Sequence, residues 1–107
     1  MNKKYYVYRI KNKVSGEFYF GMRSCYTEPL NDLGVKYFTS GNIKSLFMRM
    51  PENFTRQILF VTNSRYECFG IEQKYIFIYI RNKLCSNRTV CKKIDFTKIK
   101  LPTFEFI

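Results

Sequence analysis

Two short runs of strand-type residues, Tyr5 to Ile10 and Glu17 to Met22, flank the polar, glycine-containing stretch Lys11-Asn12-Lys13-Val14-Ser15-Gly16. No other feature constrains the fold as much. Aromatic and β-branched side chains favour extended backbone, and a short polar segment ending in glycine favours chain reversal. An antiparallel hairpin is the consequence, its first strand running from about Lys4 to Lys11 and its second from Glu17 to Arg23. Side chains alternate faces along a strand, so Tyr6 and Tyr8 share one face of the first strand, as Tyr19 and Gly21 share one face of the second. A register that brings those faces together makes Tyr8 and Tyr19 neighbours.

The rest of the chain supplies one more strand and two helices. A loop rich in Thr, Pro, Asn, Asp and Gly follows from Ser24 to Gly34. Ser40 or Gly41 then opens a short helix that carries Ile43, Leu46, Phe47 and Met50 at spacings of three and four, ends at Pro51, and presents Lys44 and Arg49 on its other face. Thr55 to Val61 reads as a third strand, with Ile58 and Phe60 alternating against Gln57 and Leu59, and Thr62-Asn63-Ser64 supplies a helix N-cap. From Arg65 to about Asn82, Cys68, Ile71, Tyr75 and Ile78 form one helical stripe, and Phe69, Ile76 and Ile80 an adjoining one. The run Tyr75 to Ile80 has strand propensity by itself, and the length of the whole segment favours helix without deciding it. The aromatic stretch Ile94 to Ile107, broken by Pro102, either wraps the domain or meets a partner. The expected architecture is α+β: one domain over residues 1–107, a three-stranded antiparallel sheet flanked by helices.

Nineteen Lys and Arg against eight Asp and Glu give a net charge of +11, which suits a polyanionic partner, with nucleic acid ahead of an anionic membrane. Abundant Lys and Asn also fit an AT-rich coding sequence whose charges are merely solvated. No signal-peptide pattern opens the chain and the longest apolar run, Tyr75 to Ile80, is too short for a bilayer, so a cytoplasmic protein without membrane association is expected. Cys25, Cys68, Cys85 and Cys91 include no Cys-x-x-Cys pair and the chain has no histidine, which argues for small buried thiols over a zinc site.

The triplets Tyr6-Val7-Tyr8 and Tyr19-Phe20-Gly21, about ten residues apart, with Glu72 and Asn87 downstream, resemble the GIY-YIG nuclease family. Lys36-Tyr37-Phe38-Thr39-Ser40-Gly41 and Pro51-Glu52-Asn53-Phe54 look like its free-standing, phage-type, homing-endonuclease-like branch, and the match in order spans most of the chain. The resemblance implies a GIY-YIG-like fold and a metal-dependent DNA endonuclease that hydrolyses phosphodiester bonds. Tyr8 would be the general base, Tyr19 would orient it or the phosphate, and Glu72 would hold one Mg²⁺ or Mn²⁺; no small-molecule cofactor is implied. A phenol near a divalent metal and a cation can fall below its usual pKa of about 10, which makes a tyrosine base chemically reasonable. A single helical carboxylate suffices for Mg²⁺, which keeps most of its water.

Gly21 would let the DNA backbone approach closely. Asn87 would either orient substrate or serve as a turn residue. The chain departs from the family at its catalytic arginine, since the corresponding spacing falls near Glu28-Pro29. Arg23, two residues beyond Gly21 and on the same strand face, is the first substitute for clamping the phosphate, with Lys44 and Arg49 in reserve as substrate contacts. Each tyrosine is also readable as strand packing and Glu72 as a solvated helix residue. Two other functions therefore stay open. One is an inactive nucleic-acid-binding module using Arg9, Phe18, Tyr19 and Arg23; the other is a protein-interaction protein using the tail Leu101 to Ile107. Whether a homodimer forms on DNA is likewise open.

Overall fold

A computed structural model describes residues 2–106. Its sheet is three-stranded and antiparallel, in the order β2-β1-β3, with β1 at Lys4–Asn12, β2 at Phe18–Cys25 and β3 at Phe54–Thr62. Two α-helices, α1 (Lys44–Arg49) and α2 (Arg65–Tyr79), are joined by short 3-10 turns at Pro29–Asn31, Pro51–Asn53 and Phe96–Lys98. The domain is α+β, as expected. Among the described residues no helix is long and apolar enough to cross a membrane.

The hairpin turn is built by the residues that signal it. Asn12 Oδ1 accepts hydrogen bonds from the backbone N–H of Val14 (2.9 Å) and Ser15 (3.3 Å), and Gly16 takes a φ of +81° that an L side chain would resist. Tyr8 pairs with Gly21 and Ile10 with Tyr19, so the Tyr8 and Tyr19 rings lie diagonally across the ladder, 6.5 Å apart. Because β1 is paired on both edges and covered on both faces, Tyr6 to Ile10 are all buried.

Each face of the sheet has its own core. Tyr6, Tyr8, Ile10 and Cys25 pack under α1 and the preceding loop, against Leu33, Ile43, Phe47 and Phe54. On the opposite face Val7, Phe18, Phe20 and Leu59 pack against Cys68, Ile71, Tyr75 and Ile76 of α2. α2 starts where expected: Ser64 Oγ accepts from the Glu67 N–H at 3.2 Å.

Three expectations about side-chain facing need correction. Ile58 and Phe60 do not share a face, because a β-bulge shifts the register from Val7–Phe60 to Tyr8–Ile58 and turns both Leu59 and Phe60 toward α2. Ile78 is 50% exposed: with 3.6 residues per turn the buried stripe continues from Ile71 and Tyr75 to Tyr79. Met50, the C-cap of α1, is also exposed.

The tail wraps the domain. Phe106 lies against Phe20, Tyr75 and Tyr79, and the Arg9 guanidinium sits between the rings of Phe18 (4.9 Å) and Phe106 (4.6 Å). Ile99 and Leu101 join the same core, and Lys74 Nζ donates to the Ile99 carbonyl. Arg9 and Phe18 are thereby buried and offer no open platform for stacking bases.

Candidate active site

β2 is an edge strand, and its outward backbone groups must find partners beyond the sheet. Three devices satisfy them in succession. The Phe18 N–H donates to the Leu84 carbonyl (2.9 Å) and its carbonyl accepts from the Ser86 N–H (2.8 Å). At Phe20 a side chain takes over: Asn87 Oδ1 accepts from the Phe20 N–H at 2.9 Å, and Asn87 Nδ2 donates to the Phe20 carbonyl at 2.8 Å. At Met22 the backbone N–H donates to the Glu72 carboxylate. One strand edge thus positions both Asn87 and Glu72, from segments far apart in the chain.

Beside this edge lies a cleft of about 340 Å³ whose lining includes Tyr19, Gly41, Asn42, Glu72, Gln73, Asn87 and Arg88. Glu72 is the only carboxylate among its lining residues. Gln73 Nε2 donates to Glu72 Oε1 at 2.7 Å, while Gln73 Oε1 accepts from the Cys91 N–H, so the carboxylate is oriented by the loop that also carries Arg88. Burial raises the Glu72 pKa above the ordinary carboxylate range, and the hydrogen bonds from Gln73 and Met22 oppose that rise. Tyr19 reaches the cleft with its hydroxyl 3.1 Å from Ser40 Oγ. Its phenol is raised by burial, opposed by the Ser40 hydrogen bond and raised further by the charges of Tyr37 and Glu72.

Tyr8 is placed differently from the expectation. Its side chain is 0% exposed, and its hydroxyl is bonded to Thr39 Oγ1 at 2.6 Å and Tyr37 Oη at 3.1 Å. Burial lifts its phenol well above the ordinary value, as it also lifts that of Tyr19, so access to the cleft and not pKa separates the two tyrosines. Gly21 serves this ring and not a substrate backbone: a Cβ there would stand 2.2 Å from Tyr8 Oη and 2.3 Å from its Cζ. Asn87, with both ends of its amide on Phe20, fixes the strand edge rather than reaching for a ligand.

No family model, no curated protein and no solved structure matches the chain.

The geometry of the cleft brings Tyr19, Glu72 and Asn87 together and leaves three expected cations outside. Arg23 Nε is held 3.3 Å from Asp32 Oδ2, which also accepts from Tyr6 Oη at 2.6 Å, and its guanidinium lies 4.3 Å from the Tyr37 ring centroid. Lys44 and Arg49 line a neighbouring hollow that meets the main cleft at Gly41 and Asn42. The arginine in the cleft itself is Arg88. Gln73 and Asn42 are residues that spacing did not single out; Arg88 belongs to the basic C-terminal third of the chain, an expected source of DNA contacts, and stands directly after Asn87.

The lining donors are oxygen-rich: the Glu72 carboxylate, the hydroxyls of Ser86 and Thr89, and the Asn42 amide, with no thiol or imidazole. That set suits a hard cation such as Mg²⁺, which takes one or two carboxylates and completes its shell with water and phosphate oxygens. Among the described residues no cluster of three or more His, Cys, Asp or Glu is present.

Proposed function

We propose that the chain is a metal-dependent DNA endonuclease of the GIY-YIG type, hydrolysing phosphodiester bonds in the cleft beside β2. What supports this reading above all is the meeting of Tyr19, Glu72 and Arg88, drawn from three separate segments, in one cleft at the edge of β2. Glu72 would hold Mg²⁺ with water and phosphate oxygens. The bound cation would supply positive charge where negative charge develops on the phosphate.

The chain's own residues carry the remaining roles. Arg88 contributes a guanidinium whose planar fork suits a phosphate. Tyr19, the tyrosine that lines the cleft, is the one able to touch the attacking water or the phosphate. Tyr8, sealed beneath it, acts as a positioning residue through its hydroxyl chain to Thr39 and Tyr37. The general-base role expected for Tyr8 passes to Tyr19 in this reading, because a fully buried phenol cannot reach water. Gln73 and the Met22 N–H keep the Glu72 carboxylate aimed into the cleft.

Incubation of supercoiled plasmid with purified protein, in Mg²⁺ and in EDTA, tests the proposal. Nicked or linear product should require Mg²⁺. It should fall by at least about a hundredfold in Glu72→Ala and Tyr19→Phe, magnitudes ordinary for a lost metal ligand or acid–base group. Intact plasmid under every condition, with DNA still retarded on a gel, would overturn hydrolysis and leave a binding module.

A further inference from the structure

Toward the far end of β2 from Tyr19, a second cleft of about 370 Å³ is lined by three cations, Lys3, Arg23 and Arg65, and by the rings of Tyr5 and Tyr37. No carboxylate lines it. Ring and cation are already paired, with Lys3 Nζ 5.6 Å from the Tyr5 centroid and the Arg23 guanidinium over Tyr37. Asp32 engages Arg23 only through Nε, and the Arg23 side chain stays 40% exposed.

Arg65 also borders an adjoining apolar hollow of about 260 Å³ with Tyr66 and Phe69. Tyr66 is 91% exposed and Phe69 39% exposed. A tyrosine so exposed contributes almost nothing to folding, and its ring stands next to a cation-lined cleft.

We infer that these two adjoining hollows form a binding site for single-stranded nucleic acid, in which Lys3, Arg23 and Arg65 hold phosphates and Tyr66 and Phe69 stack an unpaired base. Cations along a groove with exposed aromatic faces beside them are what sequence-tolerant binding of single strands requires, and a duplex, with its bases already stacked, cannot use the rings. The net charge of +11 favours the same partner.

The site rests on charge and ring exposure and not on the hydrolytic reading, yet it extends that reading. Met22 gives its N–H to Glu72 and also lines the second cleft. From Tyr19 to Arg23 the strand advances four residues, about 13 Å at ~3.3 Å each. That is the span of roughly four nucleotides at ~3.4 Å per stacked base. A strand held at the second cleft would lead to the first.

Fluorescence anisotropy of a labelled oligothymidylate, titrated in EDTA across a range of salt, tests the inference apart from cleavage. Wild-type protein should bind the single strand more tightly than a duplex of the same length. The double variant Lys3→Ala/Arg65→Ala should lower the slope of log K against log salt by about 1.4, which is 0.7 for each lost phosphate contact. Tyr66→Ala should weaken binding about tenfold at an unchanged slope, and Tyr66→Phe should restore it. Circular dichroism melts check that the variants fold. Unchanged affinity and slope in both variants would overturn the site, as would no binding by the wild type. So would a Tyr66→Ala defect confined to vesicles of phosphatidylglycerol. Because metal is absent throughout, a protein that never cuts DNA can meet these expectations, and one that cuts can fail them.

Discussion

Glu72 combines three properties that seldom meet in one side chain of a small domain: it is the cleft's single carboxylate, it is raised by burial, and it is held by two donors. The cost of burying its charge sets a pH dependence. In the unfolded chain a glutamate ionises near about 4.3, whereas in the fold ionisation is delayed to higher pH. A folded pKa above the unfolded one contributes stability that is full below the unfolded value and is lost as pH rises through the folded value. As pH rises from the unfolded value toward and through the folded one, the native protein therefore takes on the penalty. Glu72→Gln keeps an acceptor for the Met22 and Gln73 donors and removes the charge. Its thermal midpoint should lie above that of the wild type at neutral pH, and the difference should close as pH falls toward about 4. A midpoint below the wild type at neutral pH would mean that the carboxylate holds the fold together more than burial strains it. Loss of plasmid cleavage alongside a gain in stability is the pairing expected where strain is kept for function.

At the scale of elements, the edge of β2 decides what the sequence could and could not disclose. Regular pieces were legible from local chemistry: aromatic alternation and a polar Gly-containing turn gave the hairpin, and Thr62-Asn63-Ser64 gave the start of α2. The bulge opposite Val7 and Tyr8 carries no Gly or Pro signal, since Leu59 is accommodated by packing against α2, and it reversed the facing of Phe60. Glu72 and Tyr19 were legible as a pair only through their resemblance to a known motif order, whereas the arrival of Arg88 depends on how segment 84–87 lies along β2. Asn87 was legible as a residue but not as a strut. Its amide mimics a backbone rung, so Asn87→Ala leaves both Phe20 groups without partners in a buried setting and should cost about 2–4 kcal/mol. Asn87→Asp should not rescue it, because a carboxylate would then face the Phe20 carbonyl. Urea denaturation of the three proteins measures both statements; an Asn87→Ala variant within about 0.5 kcal/mol of wild type would return Asn87 to the substrate side.

The whole molecule is a flattened slab, 38 × 37 × 23 Å, with a Cα radius of gyration of 13.4 Å, close to the ~13 Å expected for a compact chain of this length. One sheet is covered on one face by α1 with its loop and on the other by α2, yet a 15-residue helix is too narrow to cover three strands. The tail supplies the missing cover. Phe106 closes over Phe20, Tyr75 and Tyr79 and completes the sandwich around the Arg9 guanidinium, which is why a charged residue is tolerated at the centre of β1. Within the tail Ile99, Leu101 and Phe106 are committed to this core, while Phe104 stays 39% exposed. Phe106→Ala should therefore lower stability by about 2 kcal/mol, through lost apolar burial and the lost ring contact to Arg9, and it should shift the urea midpoint without changing the slope. Nucleic-acid affinity under conditions where the variant remains folded should match the wild type, because Phe106 lines neither cleft beside β2. A midpoint unmoved by Phe106→Ala would instead detach the tail from the core and restore it as a surface for a protein partner.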